Sequence, residues 1–165
     1  MSQIEIIDNY LPEDVFNEMQ ELLLSAGIPW FFNDYIVTDN KDLYQLIHTF
    51  TPDKPYVQIL NPLLKKLKPK EVLRCKANLR PKSHTLDQSP YHLDQTNVHG
   101  TYKSYKVAIY YINTNNGYTI FEHNKQKVES IANRMLIFDG TLKHAGTTCT
   151  DQQRRVVLNI NYMEK

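Results

Sequence analysis

The pattern of apolar and polar positions changes period near residue 72, which divides the chain into two parts. Before that point the pattern is mostly helical. Ile4, Ile6 and Ile7 form a short apolar stretch of strand character, and Pro12 follows where a helix would begin. Glu13 and Asp14 fall in its first turn, where the helix dipole favours acids. Phe16, Met19, Leu22 and Leu23 recur at helical spacing, and Gly27 supplies a stop. Leu43, Ile47 and Phe50 mark a second short helix, which would carry His48. Tyr56, Leu60, Leu63, Leu64 and Leu67 mark a third, broken or kinked at Pro62. Lys65, Lys66, Lys68 and Lys70 read as its solvated face, with no aromatic platform to suggest nucleic acid.

From Val72 onward the period is two. Leu73, Cys75, Ala77 and Leu79 alternate with Arg74, Lys76, Asn78 and Arg80. Residues 107–113, 118–121, 127–131, 134–139 and 155–162 are further strand candidates, punctuated by Gly117, Gly140 and Gly146. A helical part (about 1–70) followed by a run of antiparallel strands (about 72–162) predicts a single α+β domain. A chain of 165 residues is long enough to bury one real core.

Composition narrows the class. Hydrophobic content of 41% with 22% charged residues fits a soluble globular protein. A net charge of +1 gives no electrostatic footprint for nucleic acid or an anionic membrane. Cys75 and Cys149 are too few for a disulfide framework and suit a reducing compartment. The first residues, MSQIEIIDNYL, carry acids and no long apolar run, so they read as neither signal peptide nor membrane span. The expectation is a cytoplasmic protein with no nucleic-acid or membrane partner and with its oligomeric state left open.

The chemistry is carried by His92-x-Asp94, followed fifty residues after the aspartate by His144. Ligands at i and i+2 on a strand leave from one face, and a third from a distant strand completes a facet of an octahedron. Two imidazoles and one carboxylate with open positions suit non-haem Fe(II) working with O₂. The same donor set also binds zinc, but the chain has no HExxH and no evident general base for zinc hydrolysis. His48 and His123 read as ordinary structural or surface residues. His84 and His99 lie in the unpatterned stretches 81–91 and 95–105, which flank the pair and would form a mobile mouth.

HxD alone arises by chance. Here it precedes an FDG-x-x-x-H ending at His144 and a basic residue 10 or 11 positions further on, each within a strand pattern. With YHLD (91–94), VAIYYIN (107–113), GYTIF (117–121), MLIFDGTLKHAG (135–146) and RRVVLNINY (154–162), the chain resembles the Fe(II)/2-oxoglutarate dioxygenase superfamily. Within that superfamily it is similar to the small prolyl-hydroxylase-like members, over about residues 72–162. The resemblance implies a double-stranded β-helix, or jelly-roll barrel, with the N-terminal helices buttressing one sheet. It implies metal ligation by His92, Asp94 and His144, with Fe(II) as cofactor and 2-oxoglutarate and O₂ as cosubstrates. The implied reaction is hydroxylation of a substrate, with release of succinate and CO₂.

Alternation along the last strand nominates the cosubstrate clamp. Val156, Leu158, Ile160 and Tyr162 make an apolar face; Arg155, Val157, Asn159 and Asn161 make the other. Arg155, rather than Arg154, therefore faces the pocket and would grip the distal carboxylate bidentately, although a bulge would swap the two. By resemblance Tyr111 would bind the same carboxylate. Asn159 and Asn78 are further pocket candidates. A peptidyl proline is the target that the resemblance favours, while Tyr91, Tyr102 and Tyr105 would equally cradle a small molecule. The rival reading is a non-catalytic β-barrel binding module whose metal only holds the mouth together. Two departures from the family pattern bear on loop geometry: Asn116 precedes Gly117 where relatives often carry two glycines, and Asn133-Arg134 stands where a glycine is common.

Overall fold

A computed structural model describes residues 4–36, 43–95 and 104–165. The strands are β1 (Ile4–Ile7), β2 (Phe31–Asn33), β3 (Gln45–Phe50), β4 (Glu71–Pro81), β5 (Lys106–Tyr111), β6 (Tyr118–Phe121), β7 (Lys127–Glu129), β8 (Arg134–Asp139), β9 (His144–Gly146) and β10 (Arg154–Met163). The helices are α1 (Glu13–Leu24) and α2 (Asn61–Leu67), the latter entered through a 3₁₀ turn at Val57–Leu60. A seven-stranded sheet in the order β1-β8-β5-β10-β4-β3-β2 faces a three-stranded sheet in the order β7-β6-β9. Every strand pair is antiparallel. This is the two-sheet jelly-roll arrangement expected from the sequence, with both helices on one side.

Two apolar layers hold it. On the outer face of the large sheet, Met19, Leu23 and Leu63 from the helices pack with Ala77, Tyr110, Leu158 and Ile160. Between the sheets, Val107, Ile109, Tyr111, Phe121, Phe138 and Val157 form a second cluster. Full burial of each large aliphatic or aromatic side chain contributes roughly 1.5–3 kcal/mol. The alternation along β10 puts Val156, Leu158 and Ile160 in the first layer and Val157 in the second. That strand is thus the wall shared by core and pocket.

The N-terminal third departs from the helical reading. Leu43, Ile47 and Phe50 do not mark a helix: residues from Gln45 to Phe50 are strand β3, paired with β4 from Leu46↔Leu79 to Phe50↔Cys75. A six-residue segment gains little as an isolated helix, whereas the edge of β4 offers it a full ladder. His48 accordingly sits on a strand, buried, with Nδ1 against the Pro29 carbonyl at 2.8 Å. β1, β2 and β3 all join the large sheet, so the first third supplies strands as well as helices. Pro62 falls in the first turn of α2, where its missing N–H is harmless. A bulge between Asn161 and Tyr162 skips Leu73, which packs with the inter-sheet cluster rather than beside Cys75.

Asn133 explains one departure from the family pattern. Its φ is 63°, in the left-handed region that glycine would fill and that asparagine tolerates better than most. The amide then works where glycine cannot. Its Oδ1 accepts from the Leu11 N–H and the Tyr110 hydroxyl, and its Nδ2 donates to the Leu11 carbonyl, tying the approach to α1 onto the sheet.

Candidate metal centre

His92 and His144 are brought together by an isolated antiparallel bridge, with N–H to carbonyl distances of 3.0 and 3.1 Å in the two directions. Each imidazole Nδ1 points at a backbone carbonyl, His92 at Pro90 (2.9 Å) and His144 at Leu142 (3.2 Å). A carbonyl can only accept, so Nδ1 must carry the proton and Nε2 is left with its lone pair. Both Nε2 atoms face the same carboxylate oxygen, Asp94 Oδ1, at 3.7 Å from His92 and 3.6 Å from His144. The three ligand atoms all lie within 4.8 Å of one another.

The other carboxylate oxygen is engaged. Asp94 Oδ2 accepts from Asn159 Nδ2 at 2.8 Å and from Asn161 Nδ2 at 3.0 Å, and Gln95 Nε2 donates onward to Asn161 Oδ1. One oxygen is thus anchored to β10 while its twin turns to the imidazoles, as outer partners orient a ligand. Burial opposes ionisation of Asp94, but His144, Arg74, the Asn159 hydrogen bond and His92 together outweigh it and hold the carboxyl down at about 2. Burial pushes His144 towards its neutral form, the form a metal requires, against the pull of Asp94.

Arg155 points into the same cavity and is buried, 5% exposed. Its Nε donates to Ser130 Oγ (2.8 Å) and Nη2 to Thr119 Oγ1 (3.3 Å). Among the described residues it has no carboxylate within ion-pair distance. A Cβ on Gly117 would come within 2.7 Å of the Arg155 side chain, so that glycine keeps the arginine's channel open. Arg154 lies on the other face and donates to the Leu24 carbonyl at the end of α1.

Tyr111 does not reach the cavity wall. It is fully buried, and its hydroxyl donates to Thr119 Oγ1 at 2.8 Å. Thr119 lines the cavity, and because its oxygen accepts from both Tyr111 and Arg155, its own proton is free to point inward. Sequence reasoning missed Thr119, although a signal existed: it shares a strand face with Phe121, an inter-sheet core residue. It also missed Ser130. Asn159 and Asn78 both line the cavity, and Asn78 Oδ1 is buried with no partner among the described residues. Lys76 and Arg80, on the same face of β4 as Asn78, line it too.

The mouth differs from expectation. The stretch 81–91 is not a free loop: Ser83 N–H donates to the Cys149 carbonyl, Ser89 N–H to Gly146, and Thr148 N–H to Asp87. His84 and His123 are exposed and outside the cavity lining. Tyr105 is a core residue, packed on Gly140, with its hydroxyl accepting from the Gln95 N–H at 3.1 Å; it steadies the chain just after Asp94 and is not available to cradle a substrate. Tyr91 has Lys125 over its ring, 4.5 Å from the centroid. His99 and Tyr102 lie outside the described residues.

The donor set fits a metal: two imidazole nitrogens with free lone pairs and one carboxylate oxygen converge, and the same cavity holds a buried guanidinium without a counter-charge among the described residues. No protein-family model and no curated protein sequence matches the chain. Its architecture, however, is shared with solved structures. A viral collagen prolyl hydroxylase from Paramecium bursaria Chlorella virus-1, in complex with 2-oxoglutarate, superposes with a TM-score of 0.68 at 14% identity, covering 98% of this chain and 96% of that one. A Trichoplax adhaerens prolyl hydroxylase in complex with a hypoxia-inducible-factor peptide gives 0.72 at 16%, covering 98% and 83%. The non-haem α-ketoglutarate-dependent epimerase SnoN of nogalamycin biosynthesis gives 0.68 at 10%, covering 99% and 77%. The chain has the fold of the Fe(II)/2-oxoglutarate oxygenases.

Proposed function

We propose that this protein is an Fe(II)- and 2-oxoglutarate-dependent oxygenase that hydroxylates its substrate and releases succinate and CO₂. The observation that carries the reading is the convergence in one cavity of the His92–Asp94–His144 donor set and the buried Arg155, which has no carboxylate partner among the described residues. A binding module that used a metal only to close its mouth would have no need of a desolvated guanidinium below it, since an unpaired buried cation costs several kcal/mol.

His92 and His144 would hold Fe(II) through Nε2, and Asp94 through Oδ1. Bound iron supplies the chemistry that side chains lack, oxidative decarboxylation of 2-oxoglutarate by O₂ coupled to oxidation of a C–H bond. The protein's own part is placement. Pro90 and Leu142 carbonyls fix the imidazole tautomers, and Asn159 and Asn161 fix the carboxylate. Arg155 and the Thr119 hydroxyl offer charge-assisted donors to the distal carboxylate of 2-oxoglutarate. Tyr111 acts through Thr119, consuming one of its lone pairs so that its proton turns to the cavity. Asn78, whose oxygen has no partner among the described residues, is available to the cosubstrate or substrate. None of these steps asks a protein side chain to act as acid or base.

The two prolyl hydroxylases of similar fold support a peptidyl proline; the epimerase of nogalamycin biosynthesis, which has a similar fold, supports a small molecule instead. No helix among the described residues is long and apolar enough to cross a membrane; the cytoplasm remains the proposed compartment because ferrous iron and two free cysteines both suit a reducing environment.

The test is anaerobic. Adding Fe(II) and 2-oxoglutarate to the purified protein should produce a weak visible charge-transfer band, which His144→Ala should lack. A wild-type protein that binds Fe(II) but develops no band with 2-oxoglutarate would speak for the metal-only module.

A further inference from the structure

The cavity holds more positive charge than the proposed chemistry uses. Arg74, Lys76, Asn78 and Arg80 share one face of β4, the face that looks towards the metal centre. Register divides their charges into two groups. Arg80 stands opposite Arg155, whereas Lys76 stands opposite Asn159 and Arg74 opposite Asn161, the two asparagines that hold Asp94. One cationic pair therefore sits at the cosubstrate end and a second, Arg74 with Lys76, beside the metal ligands.

Nothing described in the protein neutralises that second pair once a metal is bound. Arg74 Nη2 has one carboxylate neighbour, Asp94 Oδ1 at 3.7 Å, and that is the oxygen turned to the imidazoles for the metal. Arg74 Nε is buried with no partner among the described residues. Lys76 has no carboxylate within ion-pair distance among them. A ferrous ion and dianionic 2-oxoglutarate cancel each other, so their arrival leaves the surplus in place. Half-buried cations without counter-charges are costly, and burial together with Arg74 already pulls Lys76 below its ordinary value while Asp94 resists.

Beyond β4 the same sheet face continues outwards. Thr49 lies beside Lys76, Ile47 beside Asn78, and Phe31 beside Ile47, with Phe31 61% exposed. The small sheet packs over β5, β8 and β10, as the inter-sheet cluster shows, and among the described residues neither β3 nor β2 contributes to that cluster. The result is a shelf that leads to the metal, cationic next to the ligands and apolar at its outer margin.

We infer that the substrate carries an anionic group, a carboxylate or a phosphate, which Arg74 and Lys76 bind beside the metal centre while Ile47 and Phe31 support the less polar remainder. The inference rests on the oxygenase reading and sharpens it: a neutral prolyl peptide would leave both cations unpaired, whereas an acidic peptide or a free small-molecule acid would satisfy them.

The experiment uses Mn(II)-loaded protein saturated with 2-oxoglutarate, so that the Arg155 end is filled, and follows binding by calorimetry at low ionic strength. Three probes are titrated: inorganic sulfate, an acidic prolyl peptide, and its amide-neutralised twin. Sulfate or the acidic peptide should bind, and the one that binds names the source of the anion as free or peptidyl. Lys76→Gln should weaken that binding several-fold and Arg74→Gln with Lys76→Gln by about tenfold or more, with 2-oxoglutarate affinity shifted less than about threefold. The single variant guards against loss of folding in the double. The proposal is overturned if neither anion binds wild type, if the neutral twin binds as well as the acidic peptide, or if the double variant keeps wild-type anion affinity. Failure of 2-oxoglutarate itself to bind the Mn(II) protein would instead bring down the oxygenase reading.

Discussion

Arg155 and Arg154 are adjacent in sequence and opposite in fate. Arg155 reaches Ser130 and Thr119 inside the cavity, while Arg154 reaches the end of α1. Removing a partly buried charged contact costs about 2–5 kcal/mol, so Arg155→Ala should raise the 2-oxoglutarate requirement for succinate formation roughly 30-fold to several thousand-fold. Arg154→Ala should change it by less than about tenfold. Thr119→Val should weaken 2-oxoglutarate binding by at least as much as Tyr111→Phe, because the Tyr111 hydroxyl acts through the threonine hydroxyl while phenylalanine keeps the ring that Arg155 overlies. Were Tyr111→Phe the more damaging, the hydroxyl relay would be wrong. Simple alternation along β10 foretold the inward face, since a ten-residue strand walled by core on one side cannot slip register without burying Asn159 and Asn161 among leucines. The same rule turns Thr119 inward beside Phe121 but does not reveal its part there, which depends on two long side chains meeting its oxygen from other strands. Arg74, Lys76 and Arg80 were legible as one polar face but not as a shared charge, because that requires knowing how few acids stand nearby.

Elements were read best where period and packing agree. β4, β6, β8, β10 and α1 lie close to where alternation or helical spacing puts them, because each buries one face against a continuous apolar layer. β3 has a helical signature because apolar residues at 43, 47 and 50 satisfy helical spacing, while its true partner, β4, lies more than twenty positions downstream and no local pattern announces it. The segment 81–91 was misread as free for a related reason: its hydrogen-bond partners sit at 146–149. The Ser83 and Ser89 amides should therefore exchange slowly even without metal or cosubstrate, when followed by hydrogen exchange. Fast exchange at both would restore the mobile lid. At the link between α1 and the sheet, Asn133→Ala should destabilise the fold by about 3 kcal/mol or more, from buried groups left unpaired and a left-handed backbone without its amide. Chemical denaturation measures it. Asn133→Gly should be less damaging than alanine on the backbone count alone.

At the scale of the whole molecule, the site ties the two sheets together. β9 of the small sheet carries His144, β10 of the large sheet holds Asp94 through two asparagines, and the His92–His144 bridge spans the opening. Metal and 2-oxoglutarate binding should thus stabilise the entire fold, by about 2.7 kcal/mol at a hundredfold excess over the dissociation constant. Thermal unfolding should shift upwards by several degrees with both ligands present and not in His92→Ala. The most direct test of the account is turnover. Protein reconstituted with Fe(II) and 2-oxoglutarate under argon is exposed to O₂, and succinate and CO₂ are quantified for wild type and Asp94→Ala. The wild-type protein should form both products in equal amounts, even as slow uncoupled turnover, and Asp94→Ala none above background. Succinate formation by Asp94→Ala at the wild-type rate would contradict it.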